Sequence, residues 1–254
     1  MPVPAATAAG LGLPDDVEVL LFDLDGVLTE TATLHAAAWK EMFDEFLARW
    51  CADHGEPYAP FTMRDYLLHV DGKARADGVR SFLASRGIRL PEGDRADEPS
   101  AATVHGLGSR KNELIRRVIR ERGVQPFEGA RRYVEAARLA GLRRGVVSSS
   151  ANATALLEAS GMDRLFDVVI DGNTAVRDHL AGKPAPDMFL AGARHLGAGP
   201  ETAAVFEDAI AGVQAGRRGG FRYVVGVGRG SHGGELLQEG ADVVVADLAE
   251  LLPT

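Results

Sequence analysis

The chain has 254 residues, 46% of them hydrophobic and 25% charged, with a net charge of -8. This is ordinary globular composition, and the length suits one large domain or a core carrying an inserted module. The acidic balance without a Lys/Arg run excludes a nucleic-acid footprint, the lack of any long apolar stretch excludes a membrane-spanning helix, and a single cysteine, Cys51, excludes an internal disulfide or a Cys-based zinc cluster.

Residues 1–16 read as a loose N-terminal tail, rich in Ala, Pro and Gly through residue 13 and lacking a basic leader. A cytoplasmic protein is expected. The apolar run Val17 to Phe22, broken only by Glu18, ends in Asp23-Leu24-Asp25-Gly26-Val27-Leu28-Thr29. Such a run reads as a buried parallel strand that stops at a site. Two aspartates one residue apart repel each other there; they are tolerable if a cation neutralises one and the other titrates. Taken alone, the same residues also describe a strand followed by a polar turn.

A long helix is predicted from Thr31 to Trp50. Leu34, Ala38, Met42 and Phe46 recur at four-residue spacing, with Trp39, Phe43 and Leu47 beside them. His54-Gly55-Glu56-Pro57 ends it. Met63 to Val70, Asp71-Gly72-Lys73-Ala74-Arg75 and Val79 to Ser85 follow. Pro91 to Ser100 reads as an acidic loop, and Lys111 to Arg122 as a basic helix closed by Gly123. Residues 32–122 therefore form a helical module without a convincing strand.

Beyond Pro126 the texture changes. Val146 to Ser148, Phe166 to Ile170, Ala203 to Phe206, Tyr223 to Val227 and Val243 to Val245 are short strand-like runs. Ala130 to Ala140, Ala153 to Ala159, Asp187 to Leu196 and Ala209 to Arg217 are the helices between them. The alternation predicts an α/β fold with a parallel sheet, shared by the strand at 17–22. The core then comprises residues 17–31 and 123–254, with residues 32–122 inserted.

Parallel strands bring their carboxyl ends to one edge of a sheet. Asp23 and Asp25, Ser148, and Glu207 with Asp208 all follow strands, and Lys183 lies in the loop Gly182-Lys183-Pro184-Ala185-Pro186-Asp187. Acids, a hydroxyl and a lysine suit phosphoryl transfer: oxygen ligands for Mg²⁺, cation and hydroxyl for phosphoryl oxygens, and a carboxylate nucleophile.

These four signatures, in this order, resemble the haloacid dehalogenase superfamily over nearly the whole chain. The resemblance implies a Rossmann-like core, Mg²⁺ and an aspartyl-phosphate intermediate. It implies Asp23 as nucleophile and Asp25 as general acid/base. The metal would be held by the side chains of Asp23 and Asp208 and the backbone carbonyl of Asp25, with Glu207 beside them. A helical insertion directly after the first motif looks like the cap domain of the superfamily's first subclass.

Asp25-Gly-Val-Leu-Thr-Glu-Thr-Ala-x-x-His-x-x-Ala-Trp39 is similar to the β-phosphoglucomutase-like subfamily. So are Gly72 and Arg75, Arg110-Lys111-Asn112, Ser148-Ser149-Ser150-Ala151-Asn152, Lys183-Pro-Ala-Pro-Asp187 and Glu207-Asp-Ala-x-Ala-Gly-Val213. That resemblance implies an enzyme acting on a small sugar phosphate, and a monomer is expected. It would interconvert β-D-glucose 1-phosphate and glucose 6-phosphate through glucose 1,6-bisphosphate. Arg75, Ser150 and Asn152 would grip the remote phosphate. Thr31, His35, Trp39, Gly72, Lys111, Ser148, Ser149 and Lys183 complete the implied binding set, with core packing an equal reading for Trp39. Ala151 and Asp71 depart from the subfamily, which usually has lysine at both places. Fewer cations for the remote phosphate favour the alternative, a Mg²⁺-dependent phosphatase of sugar phosphates.

Overall fold

The computed structural model describes residues 8–229 and 233–253. In chain order the elements are β1 (Val19–Phe22), α1 (Ala32–His54), α2 (Met63–Asp65), α3 (Arg75–Ser85), α4 (Val104–Arg122), α5 (Glu128–Leu139), β2 (Arg143–Val147), α6 (Ala153–Ser160), β3 (Val168–Ile170), α7 (Gly172–Arg177), α8 (Asp187–His195), β4 (Ala203–Glu207), α9 (Ile210–Arg218), β5 (Tyr223–Val227), α10 (Gly233–Gln238) and β6 (Val243–Val245). Contacts divide them into two compact units. One is Met1–Glu30 with Val124–Thr254, and the other is Thr31–Gly123.

The first unit is built on a six-stranded, all-parallel sheet in the order β3-β2-β1-β4-β5-β6. β1 is central, and all four of its residues are buried. A strand covered on both faces has no polar side to alternate with, which is why Val19–Phe22 is continuously apolar. Val19 and Leu21 pack against Met188 and Phe189 of α8 and Val213 of α9. Phe22 points to the other face. There it stacks on Phe206 with ring centroids 4.4 Å apart and meets the edges of Tyr133 and Phe166. The order of strands reverses direction between β1 and β4, and ligands in open α/β sheets bind at that switch point.

The second unit is entirely helical. Trp39, Phe43 and Leu47 of α1 meet Phe61, Val79, Phe82 and Val104 in one core. Phe43 lies 5.3 Å from Trp39, 5.1 Å from Phe61 and 4.2 Å from Phe82, between ring centroids. Arg110 and Arg117 of α4 pair with Glu45 and Glu41 of α1 across the outer seam of the two helices. α4 starts at Val104, seven residues before the expected Lys111, because the Thr103 hydroxyl accepts the Gly106 N–H at 2.9 Å and caps the helix. Two short helices, α7 and α10, were not expected from the sequence.

The expected loose tail is corrected from Ala8 onward. Ala9–Leu11 forms one turn, Leu11 and Leu13 are buried, and the Tyr133 hydroxyl donates to the Leu11 carbonyl at 2.9 Å. Two leucines were enough to dock a segment whose composition read as loose. Residues 1–7 of that tail lie outside the described residues.

Replacing Phe22 with Ala removes the ring that the other three aromatics pack around. Urea unfolding should show a loss of about 3–5 kcal/mol, as for other fully buried phenylalanines.

Candidate active site

The register fixes the site. Phe22 pairs with Phe206 on one side and with Val146 on the other. The next residues, Asp23, Glu207 and Val147, therefore line up at one sheet edge, and Ser148 follows. The Asp23 N–H donates to the Phe206 carbonyl at 2.9 Å, which extends the β1 pairing into the site.

Lys183 is the centre of this edge. Its side chain is fully buried. Nζ donates to Asp23 Oδ1 at 2.5 Å, to the Val147 carbonyl at 3.1 Å and to Glu207 Oε1, and it lies 4.9 Å from the centroid of the Phe189 ring. Burial works to lower the lysine, but the charges of Asp23 and Glu207 outweigh it and hold Lys183 protonated. Burial pushes the Glu207 carboxyl up to about 7, with Lys183 opposing and Asp23 reinforcing the shift. Glu207 Oε2 accepts the Ala209 N–H at 3.2 Å, so both its oxygens have partners within the protein.

Asp23, Glu207 and Asp208 each place a carboxylate oxygen within 4.8 Å of the others. Three carboxylates against one ammonium leave an excess of negative charge. An all-oxygen donor set with that excess fits a hard divalent cation such as Mg²⁺.

Ser148 is buried, and its hydroxyl accepts the Ser150 N–H at 3.1 Å. The Ser150 hydroxyl in turn accepts the Asn152 N–H at 3.2 Å, and the Ser150 carbonyl accepts the Gly172 N–H. Asn173 Nδ2 donates to the Ala151 carbonyl at 2.9 Å and to Asp171 Oδ2 at 3.0 Å. The segment 148–152 is thus a wound loop braced by the start of α7. Asp25, half-buried, sits in a turn where the Gly26 N–H donates to the Thr29 carbonyl at 2.9 Å. Gly26 has φ +88°, a conformation that favours glycine.

The remaining sequence-derived residues lie in the helical unit. Lys111 Nζ is 2.9 Å from His35 Nδ1 and 5.0 Å from the Trp39 ring centroid. An ammonium only donates, so Nδ1 accepts and the His35 proton sits on Nε2. Trp39 is buried and stacked on Phe43, which is the packing reading of that residue. Arg75 opens α3 with its side chain against Gly108, and burial holds its guanidinium below the usual arginine value. Thr31 is buried, and Gly72 takes φ +72° in the turn before α3.

Sequence reasoning carried Gly212 within the motif Glu207 to Val213 but gave it no role. A methyl group on its Cα would lie 1.9 Å from Glu207 Cδ and Oε1, so only glycine lets α9 pass over the carboxylate. The signal was present as the glycine three residues into α9, but it gains meaning only from the tertiary approach. Arg229 was missed. It stacks on Phe127 and donates to the Gly26 carbonyl.

Gly212→Ala should displace Glu207 and, through it, Lys183. Turnover is expected to fall about 100-fold, as for a shift near 1 Å at a reacting centre. Steady-state assays beside circular dichroism melts would separate this from unfolding. His35 gives a pH dependence. Burial first, then Lys111, holds it well below 6.5, so it is neutral when folded and takes up a proton on unfolding in mild acid. Its contribution to stability is complete above pH 6.5 and drains away as pH falls below that value. The denaturation midpoint of His35→Gln should therefore fall less than that of the parent between about pH 7 and pH 5.

The sequence profile of the haloacid dehalogenase-like hydrolases matches residues 17–220. A β-phosphoglucomutase of Mycobacterium tuberculosis is 53% identical over 253 residues, covering 98% of this chain and 97% of that one. A validoxylamine A 7'-phosphate phosphatase of Streptomyces hygroscopicus is 31% identical over 242 residues, with 92% and 95% covered. Among solved structures, a β-phosphoglucomutase from Clostridium difficile superposes with a TM-score of 0.72 at 23% identity, covering 92% of this chain and 93% of that one. The likeness of fold, the match across most of the chain and the strand-end acids agree: this chain belongs to the haloacid dehalogenase-like hydrolases, in their β-phosphoglucomutase-like branch.

Proposed function

We propose that the chain interconverts β-D-glucose 1-phosphate and glucose 6-phosphate through a phosphorylated Asp23 and a β-glucose 1,6-bisphosphate. The observation that carries this reading is the buried Lys183 drawn between Asp23 and Glu207 at the sheet's switch point. The 53% identity to a β-phosphoglucomutase supports the same substrate class.

Asp23 would attack the phosphorus of the bisphosphate. Lys183 holds the Asp23 carboxylate in place by its 2.5 Å bond and, with the Ser148 hydroxyl, would carry charge on the phosphoryl oxygens. Asp25 would give its proton to the leaving sugar oxygen and take one from the hydroxyl that later attacks phospho-Asp23. Asp23, Asp208 and the Asp25 carbonyl would hold Mg²⁺, which when bound supplies the positive charge that phosphoryl transfer needs. Glu207, its oxygens committed to Lys183 and Ala209, would steady the lysine beside that ion. The loop of Ser149, Ser150 and Asn152 would take the remote phosphate; by the subfamily resemblance, Arg75, His35 and Lys111 are further substrate-binding residues. No helix among the described residues is long and apolar enough to cross a membrane. We read the enzyme as a cytoplasmic monomer.

A second reading, a sugar-phosphate phosphatase, is favoured by Ala151 and Asp71 in place of cations and by the 31% identical phosphatase. A phosphorus NMR time course decides between the two. The probe mixture is β-glucose 1-phosphate, Mg²⁺ and a trace of glucose 1,6-bisphosphate. The expected result is glucose 6-phosphate with little free phosphate, abolished by Asp23→Asn and by chelation of the metal. Free phosphate released at the turnover rate would replace the mutase with the phosphatase.

A further inference from the structure

The two chain crossings between the units run side by side within the first unit. Thr29 forms an antiparallel bridge with Pro126. The Glu30 N–H donates to the Gln125 carbonyl at 2.9 Å and the Phe127 N–H to the Leu28 carbonyl at 3.0 Å. Both crossings are touched by one side chain, Arg229, from the loop after β5. Its guanidinium carbon lies 3.4 Å from the centroid of the Phe127 ring, on the return crossing. Its Nη1 donates to the Gly26 carbonyl, on the outgoing one.

Gly26 is the residue after Asp25. With its N–H given to Thr29 and its φ at +88°, the orientation of its carbonyl sets the plane of the Gly26–Val27 peptide, inside the turn that carries Asp25. Burial holds the half-buried guanidinium below the usual arginine value, and Asp247, Asp208 and Glu30 add negative charge that opposes part of that cost. A planar cation is suited to this position, because it can lie flat on a ring while an edge donates to a carbonyl; a lysine can do only the second.

We propose that Arg229 is a positioning residue for Asp25: it fixes the Asp25–Gly26 turn so that the Asp25 carboxyl meets the leaving oxygen. The proposal rests on the reading of Asp25 as proton carrier. In the step concerned, an Asp23 oxygen forms its bond to phosphorus while the bond from phosphorus to the sugar oxygen breaks, and Asp25 hands its proton to that oxygen.

The dependence on leaving group tests this. A sugar oxygen needs the proton, whereas the nitrophenolate of p-nitrophenyl phosphate leaves without one. Phosphorylation of Asp23 by each compound would be followed in the full-length chain with Mg²⁺, for the parent and for Arg229→Ala, Arg229→Gln and Arg229→Lys. With β-glucose 1-phosphate, Arg229→Ala should lower the maximal rate of phospho-Asp23 formation by about 10- to 100-fold at a nearly constant half-saturating concentration, within the span of general acid catalysis. With p-nitrophenyl phosphate the loss should stay under about 3-fold, the transfer then needing no acid. Arg229→Lys should recover part of the sugar-phosphate rate. Equal losses with both compounds, or no loss with the sugar phosphate, would overturn the proposal. If Arg229→Ala does not fold, Arg229→Gln and Arg229→Lys are read by the same ratio. A parent chain that turns over neither compound fails earlier, at the roles of Asp23 and Asp25, and takes the proposal with it.

Discussion

A lysine with no solvent exposure is the constraint from which the first unit's arrangement follows. A buried ammonium is tolerated only when it is paired and hydrogen-bonded, and breaking such a pair by removing one partner costs about 3–5 kcal/mol. Lys183 meets the condition with Asp23, Glu207 and the Val147 carbonyl. Those partners come from the ends of three different strands, so the lysine can be satisfied only if β2, β1 and β4 lie side by side in register. The same pairing leaves the edge too negative, and the excess is what a divalent cation beside Asp23 and Asp208 would neutralise.

Parallel strands joined by helices deliver that alignment. Lys183 stands 160 residues from Asp23 and 24 from Glu207, yet a loop leading into α8 sets it between them. α8 packs on the sheet through Met188 and Phe189, and the Phe189 ring lies beneath Nζ. The apolar packing that stabilises the sheet therefore also aims the lysine. α9 does the matching work at β4, where the bare Cα of Gly212 admits the Glu207 carboxylate beneath the helix.

Much of this was legible in the sequence because it is written in local pattern. Parallel strands covered on both faces are short apolar runs, and Asp23, Asp25, Ser148 and Asp208 stand just past them. β5 and β6 match their apolar runs to the residue, while the other strands shift at their ends, where hydrogen bonds rather than hydropathy set the limit. α7 and α10, of six residues each, are too short to show a helical period. α4 starts seven residues before the expected Lys111, in a stretch where Gly106 and Gly108 interrupt the helical pattern and the cap from Thr103 is a contact of the folded chain. The docking of Leu11 under Tyr133, the clearance at Gly212 and the reach of Arg229 are tertiary facts. They depend on residues more than 100 positions apart or on a gap measured in ångströms, and no window along the chain contains them.

The first unit supports differently the two carboxylates proposed as nucleophile, Asp23, and proton carrier, Asp25. Asp23 is held by the buried lysine of the loop before α8 and by the end of β1, which leave it little freedom. Asp25 lies two residues on, past the end of β1, in a turn closed by Gly26 and Thr29. A nucleophile must stay fixed, because its bond to phosphorus forms at one point. A proton carrier must serve a leaving oxygen and then an attacking one, so its support has to come from the turn rather than from the strand. The crossings that flank that turn are pinned to each other by backbone bonds and to the β5 loop by Arg229 on Phe127 and Gly26. Rigid support for one aspartate and clamped support for the other are thus both consequences of where β1 stops.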